Sequence, residues 1–455
     1  MADASVGRDR PASDGWEHTD LRGDRSTAGP PRPFFRSRWV PAPGHVRELA
    51  PDAGLPAGFR AAGVACAIKP SGNPDVGLLI CDVAPADGAS SAARFTASST
   101  AAAPVLLSRE RCDLNALRAV LVNSGCANAA TGRRGLDDAA KTQGAAAIAL
   151  GVAPEQVALG STGGISHALP VEKMLKGILA CSQTLRRDGD GDFQQAIQTT
   201  DAFEKRANLE VTLPSGTVRL CAQCKGAGMI SPNFATMLCF VETDAALAPE
   251  TAELLLGVCV KRSFDRCTVD GQLSTNDTAI LIASGAGGVH IAPESEDERL
   301  FGEALDALLR QLAIMMVADG EGAHRIARLV VRGGALPGHP DAVERAARAV
   351  ANSPLVKAAL NGADHNWGRI VQALGGALSG RDSHPMPLAC DVAIEGTRVC
   401  VGGVAVPFDE ERLGEAIRAT ELEYEIALPG DGQETEVFFS DLSHEYVTIN
   451  ADYTT

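Results

Sequence analysis

Aromatic residues are scarce in this chain. Three Trp, three Tyr and thirteen Phe make up 4% of 455 residues, so a core has to be built from Ala, Val, Leu and Ile. Basic charge is also in deficit. Lys and Arg number 41 against 57 Asp and Glu, for a formal net charge of −16. That balance argues against a nucleic-acid partner and against docking on an anionic membrane. No apolar run approaches the ~18 residues that a membrane span requires; "LAIMMVA" at 312–318 is among the longest. The opening "MADASVGRDRPASDGWEHTD" has no apolar h-region, and Asp3, Asp9, Asp14, Glu17, Asp20 and Asp24 speak against a transit peptide. The cytoplasm is the expected location. Paired metal-binding cysteines are missing too. "CAQC" at 221–224 is the single CxxC among twelve cysteines, so metal is not expected. Buried thiols in a reducing compartment are the simpler reading.

What is present is ordinary globular composition, 45% hydrophobic and 22% charged. Residues 1–55 are rich in Pro, Gly, Arg and Asp and read as a disordered extension. Order is expected from about residue 56. "VGLLICDV" (76–83) and "ALRAVLVNSG" (116–125) read as buried strands. "LDDAAKTQGAAAIAL" (136–150), "PVEKMLKGILACSQTL" (170–185), "TAELLLGVCVKRSF" (251–264) and "ERLFGEALDALLRQLAIMMV" (298–317) read as helices. "RIARLVVRGG" is expected as a strand, "PDAVERAARAVANS" and "SPLVKAAL" as helices, and "GADHNWGRI" as a loop. Four terminal segments, the last being "EYVTINADY", read as strands. Strands mixed with helices in both halves predict an α/β (α+β) fold with helix-covered sheets.

The chemistry starts at "SPNFATMLCFVETDA" (231–245), where Thr236 stands between a tight loop and a strand. A hydroxyl is a weak nucleophile and needs a base beside it. A Thr at a chain N-terminus has one in its own α-amine, whose unperturbed pKa is about 7.7–8.0. An internal Thr gains that amine if the chain cuts itself at the preceding bond. Gly226, Gly228, Pro232 and Ala235 suit a strained loop at such a junction. The plain alternative is that Thr236 is a good strand former. "LGSTGGISHALP" (159–170) reads as a flexible polar loop whose N–H groups and hydroxyl could hold an oxyanion, or as a Gly-rich turn. Glu321 in "VADGEGAHRIA" is a carboxylate between glycines, suited to a cationic group or simply solvated. "LVNSGCANAATG" (121–132) and "TVDGQLSTNDT" (268–278) are polar loops of the kind that carry sites. His324 and His365 also lie in polar loops, as candidate bases or solvated rings.

Taken in order, "GFRAAGVACAIKPSG", "NSGCANAATG", "STGGIS", "TTDAF", "KGAGMISPNFATML", "TVDGQLSTNDT", "DGEGA", "GADHNWGRI" and "INADYTT" resemble the bifunctional ornithine acetyltransferase (glutamate N-acetyltransferase) family of arginine biosynthesis. The resemblance covers about residues 58–455. It implies an αββα sandwich like that of N-terminal-nucleophile hydrolases, self-cleaved between Ala235 and Thr236. The halves 56–235 and 236–455 become two chains, assembled as a heterotetramer. Thr236 is then the nucleophile, Thr162 and Gly163 form the oxyanion pair, and Thr199, Lys225, Glu321, Asn450 and Thr455 bind substrate. The implied reaction is ping-pong transfer of acetyl from N-acetylornithine to glutamate, with acetyl-CoA as a further donor in some members. No metal or organic cofactor is implied.

The chain departs from the family pattern at Cys126, Gly164, Ser166, His324–Arg325 and His365. Several of these are expected in loops lining the acceptor pocket. Two other activities are therefore open. One is a paralogue using the same Thr chemistry on another amine. The other is an amidase that passes the acyl group to water.

Overall fold

The structure is a computed structural model that describes residues 33–231, 237–336, 338–379 and 388–452. Its elements run β1 (Val46–Glu48), β2 (Phe59–Val64), β3 (Val76–Cys81), β4 (Ser90–Phe95), α1 (Ala103–Arg111), β5 (Ala119–Cys126), α2 (Gly132–Leu150), β6 (Val157–Gly164), α3 (Val171–Thr184), α4 (Asp190–Ile197), β7 (Lys205–Leu213) and β8 (Gly216–Lys225). After the junction come β9 (Leu238–Thr243), β10 (Ala246–Leu247), α5 (Pro249–Arg262), β11 (Cys267–Thr268), β12 (Thr278–Ala283), β13 (His290–Ile291) and α6 (Glu296–Ala318). The remainder is β14 (Ile326–Gly333), α7 (Ala342–Ala351), α8 (Pro354–Gly362), α9 (Trp367–Ala377), β15 (Asp391–Ile394), β16 (Thr397–Val401), β17 (Val404–Ala405), α10 (Glu410–Ala416), β18 (Glu421–Ala427), β19 (Gln433–Ser440) and α11 (His444–Asp452).

Two sheets form the first lobe. A six-stranded sheet has the order β1-β7-β8-β9-β12-β4, and a four-stranded sheet the order β2-β3-β5-β6. Alternation along each strand decides what lies between them. Phe59, Leu79, Val120 and Val122 of the smaller sheet meet Leu238, Phe240, Ile280 and Ile282 of the larger one. Phe193 of α4 completes this layer, edge-on to Phe240 at 5.4 Å. The opposite faces carry helices. Leu78, Leu121 and Leu159 pack with Met174 and Ile178 of α3 and Ala139 and Ala146 of α2. Val241, Leu220 and Leu281 pack with Leu256 of α5 and with α6. The stack is α, β, β, α, as the resemblance implied. The same alternation separates the two cysteines of CAQC: Cys221 faces the inter-sheet layer and Cys224 the helix side.

The second lobe is a seven-stranded sheet, β11-β19-β14-β18-β15-β16-β17, with Ala- and Val-rich α7 on its core face. Strand β19 joins the lobes. Phe438 belongs to the first core and its neighbour Phe439 to the second.

Several expectations change. Residues 33–55 fall within the stretch read as a disordered extension, yet they are built into the lobes. Val46–Glu48 pairs with β7, the Glu48 carboxylate accepts the N–H groups of Phe34 and Phe35 at 2.7 and 3.1 Å, and Trp39 packs on Phe438 at 5.6 Å. "GADHNWGRI" is a loop only from Ala363 to Asn366, because α8 ends at Gly362 and α9 starts at Trp367. "EYVTINADY" is helical from His444 to Asp452, not a strand. Its Tyr and β-branched residues have strand propensity, but no strand edge meets them. Ser443 Oγ instead accepts the Glu445 N–H at 3.1 Å, and the Asn450 amide donates to the Tyr446 carbonyl at 3.0 Å.

Candidate active site

A cavity of about 160 Å³ opens where the two sheets end beside the second lobe. Thr162, Gly163, Thr199, Lys225, Glu321 and Asn450 all line it. They come from β6, the loop after α4, the end of β8, the turn after α6, and α11. Thr236, Ala235 and Thr455 lie outside the described residues. A shallower groove at Leu254, Glu294 and Arg299 holds none of these groups.

The oxyanion pair does not sit on a flexible loop as expected. Thr162 and Gly163 belong to strand β6, paired in parallel with β5 as far as a bulge at Gly125 and Cys126. Gly163 has φ +122°, and a Cβ there would lie 2.5 Å from the Gly125 carbonyl carbon. Only glycine fits both the torsion and the contact. Behind the strand, Asn123 accepts from Ser161 Oγ at 2.7 Å and donates to the Cys126 carbonyl at 2.8 Å, closing the bulge.

Lys225 is 3% exposed. Its ammonium donates to Thr162 Oγ1 at 3.2 Å and Thr199 Oγ1 at 2.9 Å. Burial pulls the Lys225 pKa below the usual lysine value, while Asp201 and Glu321 act in the opposite direction. Asp201 is the organiser beneath it. Its carboxylate accepts from Lys205 Nζ at 2.7 Å, Gly226 N at 2.8 Å and Thr199 N at 3.0 Å, with Lys225 4.0 Å away. Burial alone would raise the Asp201 carboxyl; Lys205 and Lys225 override it and hold it well below the usual range. Lys205 also binds Asp319, whose carboxyl burial pushes up to about 7.

Glu321 hangs from the turn after α6, where its N–H donates to the Ala227 carbonyl at 2.9 Å. Its carboxylate accepts from Asn450 Nδ2 at 2.7 Å. A Cβ on Gly228 would meet that carboxyl carbon at 2.6 Å, so Gly228 admits the charge to the pocket. Met229 follows at φ +55°, a left-handed torsion that costs a non-glycine residue roughly 1–2 kcal/mol. Asp270 holds it there, accepting the N–H groups of Met229 and Ile230 at 2.7 and 2.9 Å. Hydrogen bonds to a charged acceptor contribute about 1.5–3 kcal/mol each, enough to outweigh the torsion. Tyr446 of α11 reaches the same carboxylate at 3.3 Å.

Sequence reasoning missed Asp201, Asp270 and Tyr446. The signal available for both acids was an aspartate inside a small-residue loop, "TTDAF" and "TVDGQ". The departures from the family pattern do not line the main cavity. Cys126 Sγ donates to the His167 carbonyl at 3.5 Å, and Ser166 takes φ +69° in the following turn. His365 stands edge-on to Phe408 at 5.5 Å. His324 lines a smaller adjoining cavity that shares Thr200 and Glu321 with the main one.

The family model described as the ArgJ family matches residues 60–455. The arginine biosynthesis bifunctional protein ArgJ of Symbiobacterium thermophilum is 41% identical over 410 residues, covering 90% of this chain and 99% of that protein. The protein of the same name from Thermus thermophilus is 40% identical over 404 residues, covering 88% and 99%. A crystal structure of ornithine acetyltransferase complexed with ornithine, from Mycobacterium tuberculosis, is 34% identical with a TM-score of 0.36 and covers 42% of this chain and 100% of its own. Among the described residues no helix is long and apolar enough to cross a membrane.

Proposed function

The chain belongs to the ArgJ family, and on that premise we propose that it is a self-cleaving acetyltransferase of arginine biosynthesis. It carries an acetyl group from N-acetylornithine to glutamate in the cytoplasm, as two pairs of cut chains. The observation that supports this most is the meeting of a buried ammonium, a hydroxyl–glycine pair and a carboxylate in one small pocket.

Thr236, freed at its amine by cutting after Ala235, attacks the acetyl carbonyl. Its α-amine takes the hydroxyl proton and passes it to the departing ornithine. The Thr162 hydroxyl and Gly163 N–H receive the tetrahedral oxyanion. Lys225 has a part in aiming the hydroxyl. Because its ammonium donates to Thr162 Oγ1, the Thr162 proton must point elsewhere and is available to the oxyanion. The same charge attracts the substrate α-carboxylate, and Glu321 the δ-ammonium. Glutamate then attacks the acetyl ester through its own amine, the bond from the acetyl carbon to Thr236 Oγ breaks, and the proton lost by that amine passes through the Thr236 α-amine to the freed hydroxyl. The acyl group passes from amide to ester to amide without change of oxidation state.

The test is the intact mass of the denatured protein, followed by acetyl release from N-acetylornithine. The expected result is two chains meeting between Ala235 and Thr236, with release that depends on glutamate. Thr236→Ala is expected to stay whole and to transfer nothing; normal cutting in that variant sinks the assignment. Release without glutamate makes the enzyme an amidase. No release from a correctly cut enzyme means a different amine substrate.

A further inference from the structure

The motif "TVDGQLSTNDT" (268–278) has no part in the transfer chemistry above, although it is bonded to the chain before and after the junction. Residues 232–236 lie outside the described residues, but both flanks are described. Upstream, the Asp270 carboxylate accepts the N–H groups of Met229 and Ile230 at 2.7 and 2.9 Å. The Ile230 carbonyl accepts in turn from Val269 N at 3.0 Å and Thr268 Oγ1 at 3.1 Å. Downstream, Asp277 Oδ1 accepts the Met237 N–H at 3.1 Å, and the Met237 carbonyl accepts from Thr278 N at 3.0 Å. One short loop therefore grips the chain on both sides of the junction.

The loop is itself tied to the body of the lobe. Asn276 Nδ2 donates to the Ala127 carbonyl at 2.8 Å, Thr96 Oγ1 to the Ser274 carbonyl at 2.7 Å, and Ala102 N to the Thr275 carbonyl at 2.8 Å. Asp277 is fully buried. A loop bound this way fixes the span between its two aspartates and so between Ile230 and Met237, which they hold.

We propose that Asp270 and Asp277 are positioning residues for self-cleavage, the first holding Met229 and Ile230 upstream of the Ala235–Thr236 bond and the second holding Met237 downstream of it. The proposal rests on the self-cleavage reading above. In the step they serve, Thr236 Oγ bonds to the Ala235 carbonyl carbon. The C–N bond breaks as its nitrogen takes a proton, leaving an ester. Water then cleaves that ester to the Ala235 carboxylate and a free Thr236 hydroxyl and amine. Each addition needs close approach along a narrow line, and misplacement of about 1 Å slows such reactions about a hundredfold. Burial pushes the Asp277 carboxyl well above the usual range. A neutral acid accepts through its carbonyl-type oxygen, which an Asn amide reproduces. Asp270 uses both oxygens, so Asn at that position keeps only one acceptor.

Cutting needs no substrate, so it can be followed alone. The full chain is synthesised in a cell-free system and its intact mass taken over time for the wild type, Asp270→Asn, Asp270→Ala, Asp277→Asn and Asp277→Ala. Thr236→Ala serves as the folded, uncut standard for size and thermal midpoint. Both Ala variants are expected to cut about tenfold more slowly or worse, Asp270→Asn at an intermediate rate, and Asp277→Asn near the wild-type rate. Folded Ala variants that cut as fast as the wild type overturn the proposal. If an Ala variant fails to fold, the Asn pair decides, and equal wild-type rates in both overturn it. A wild-type chain that stays whole removes the self-cleavage reading itself, which is a separate result.

Discussion

Asp201, Lys205, Lys225 and Asp319 bury their charged ends with side-chain exposures of 0, 0, 4 and 1%. Removing an ion from water costs several kcal/mol, and a buried network offsets this only when each member is bonded. Here each one is, and the reward is an ammonium held against two pocket hydroxyls. Glu242 is buried without such compensation. It lies on β9 at 0% exposure, with Gln223 Nε2 donating to it at 3.1 Å. Burial pushes its carboxyl up to about 8. From about pH 4.5 to 8 the folded state thus holds a proton that the unfolded state has released. Stability is full at the acid end and is lost as pH rises toward 8, by roughly 1.4 kcal/mol per unit from this group. Glu242→Gln is expected to remove that slope. Urea midpoints of both proteins at several pH values check it; a gap between them that does not change with pH excludes a buried neutral Glu242.

At the scale of the element, α11 brings Tyr446 and Asn450, four residues apart and hence on one face, to the pocket wall. It buries none of its own residues. Its contribution to stability is therefore small, and the role proposed for it is in substrate binding. Truncation before His444 removes Tyr446, Asn450 and Thr455 together. It is expected to leave cutting intact, since the Met229 and Ile230 N–H groups keep Asp270. KM is expected to rise about tenfold or more, the equivalent of one charge-assisted hydrogen bond. Steady-state kinetics check this, and an unchanged KM takes the helix out of the site. Strand β6 makes the complementary point. Its "GSTGG" looks like a loop in isolation, but parallel pairing with β5 turns the same glycines into a contact surface.

Across the whole molecule, the proposed cut falls between neighbouring strands of one sheet. Strands β8 and β9 pair antiparallel from Leu220↔Thr243 to Lys225↔Leu238. Strand β12 pairs with β9 on one side and β4 on the other. Two strands that follow the junction are thus enclosed by strands that precede it. The cut chains are expected to co-elute in native size exclusion and to part only in denaturant. Separation without denaturant contradicts the enclosed order. The early segment adds to the tie, with Arg38 bonded to Glu395 of the second lobe at 2.7 and 3.1 Å.

By itself the sequence determined the helices with strong apolar periodicity, the alternating strands, and the motifs that identify the family. Those signals are local, or depend on residue types in a fixed order, and they survive without contacts. Tertiary structure decided the rest. The α11 segment has strand-forming residues and becomes a helix because no sheet edge meets it. Residues 33–55 look too polar to order, and they order because Glu48 caps their N–H groups and Phe438 receives Trp39. Asp201, Asp270 and Asp277 are unremarkable acids in polar loops until folding places them beneath Lys225 and on either side of the junction. Their meaning lies in which N–H groups come within reach, and pairing across up to 41 residues of chain is set by sheet order, not by any neighbour in sequence.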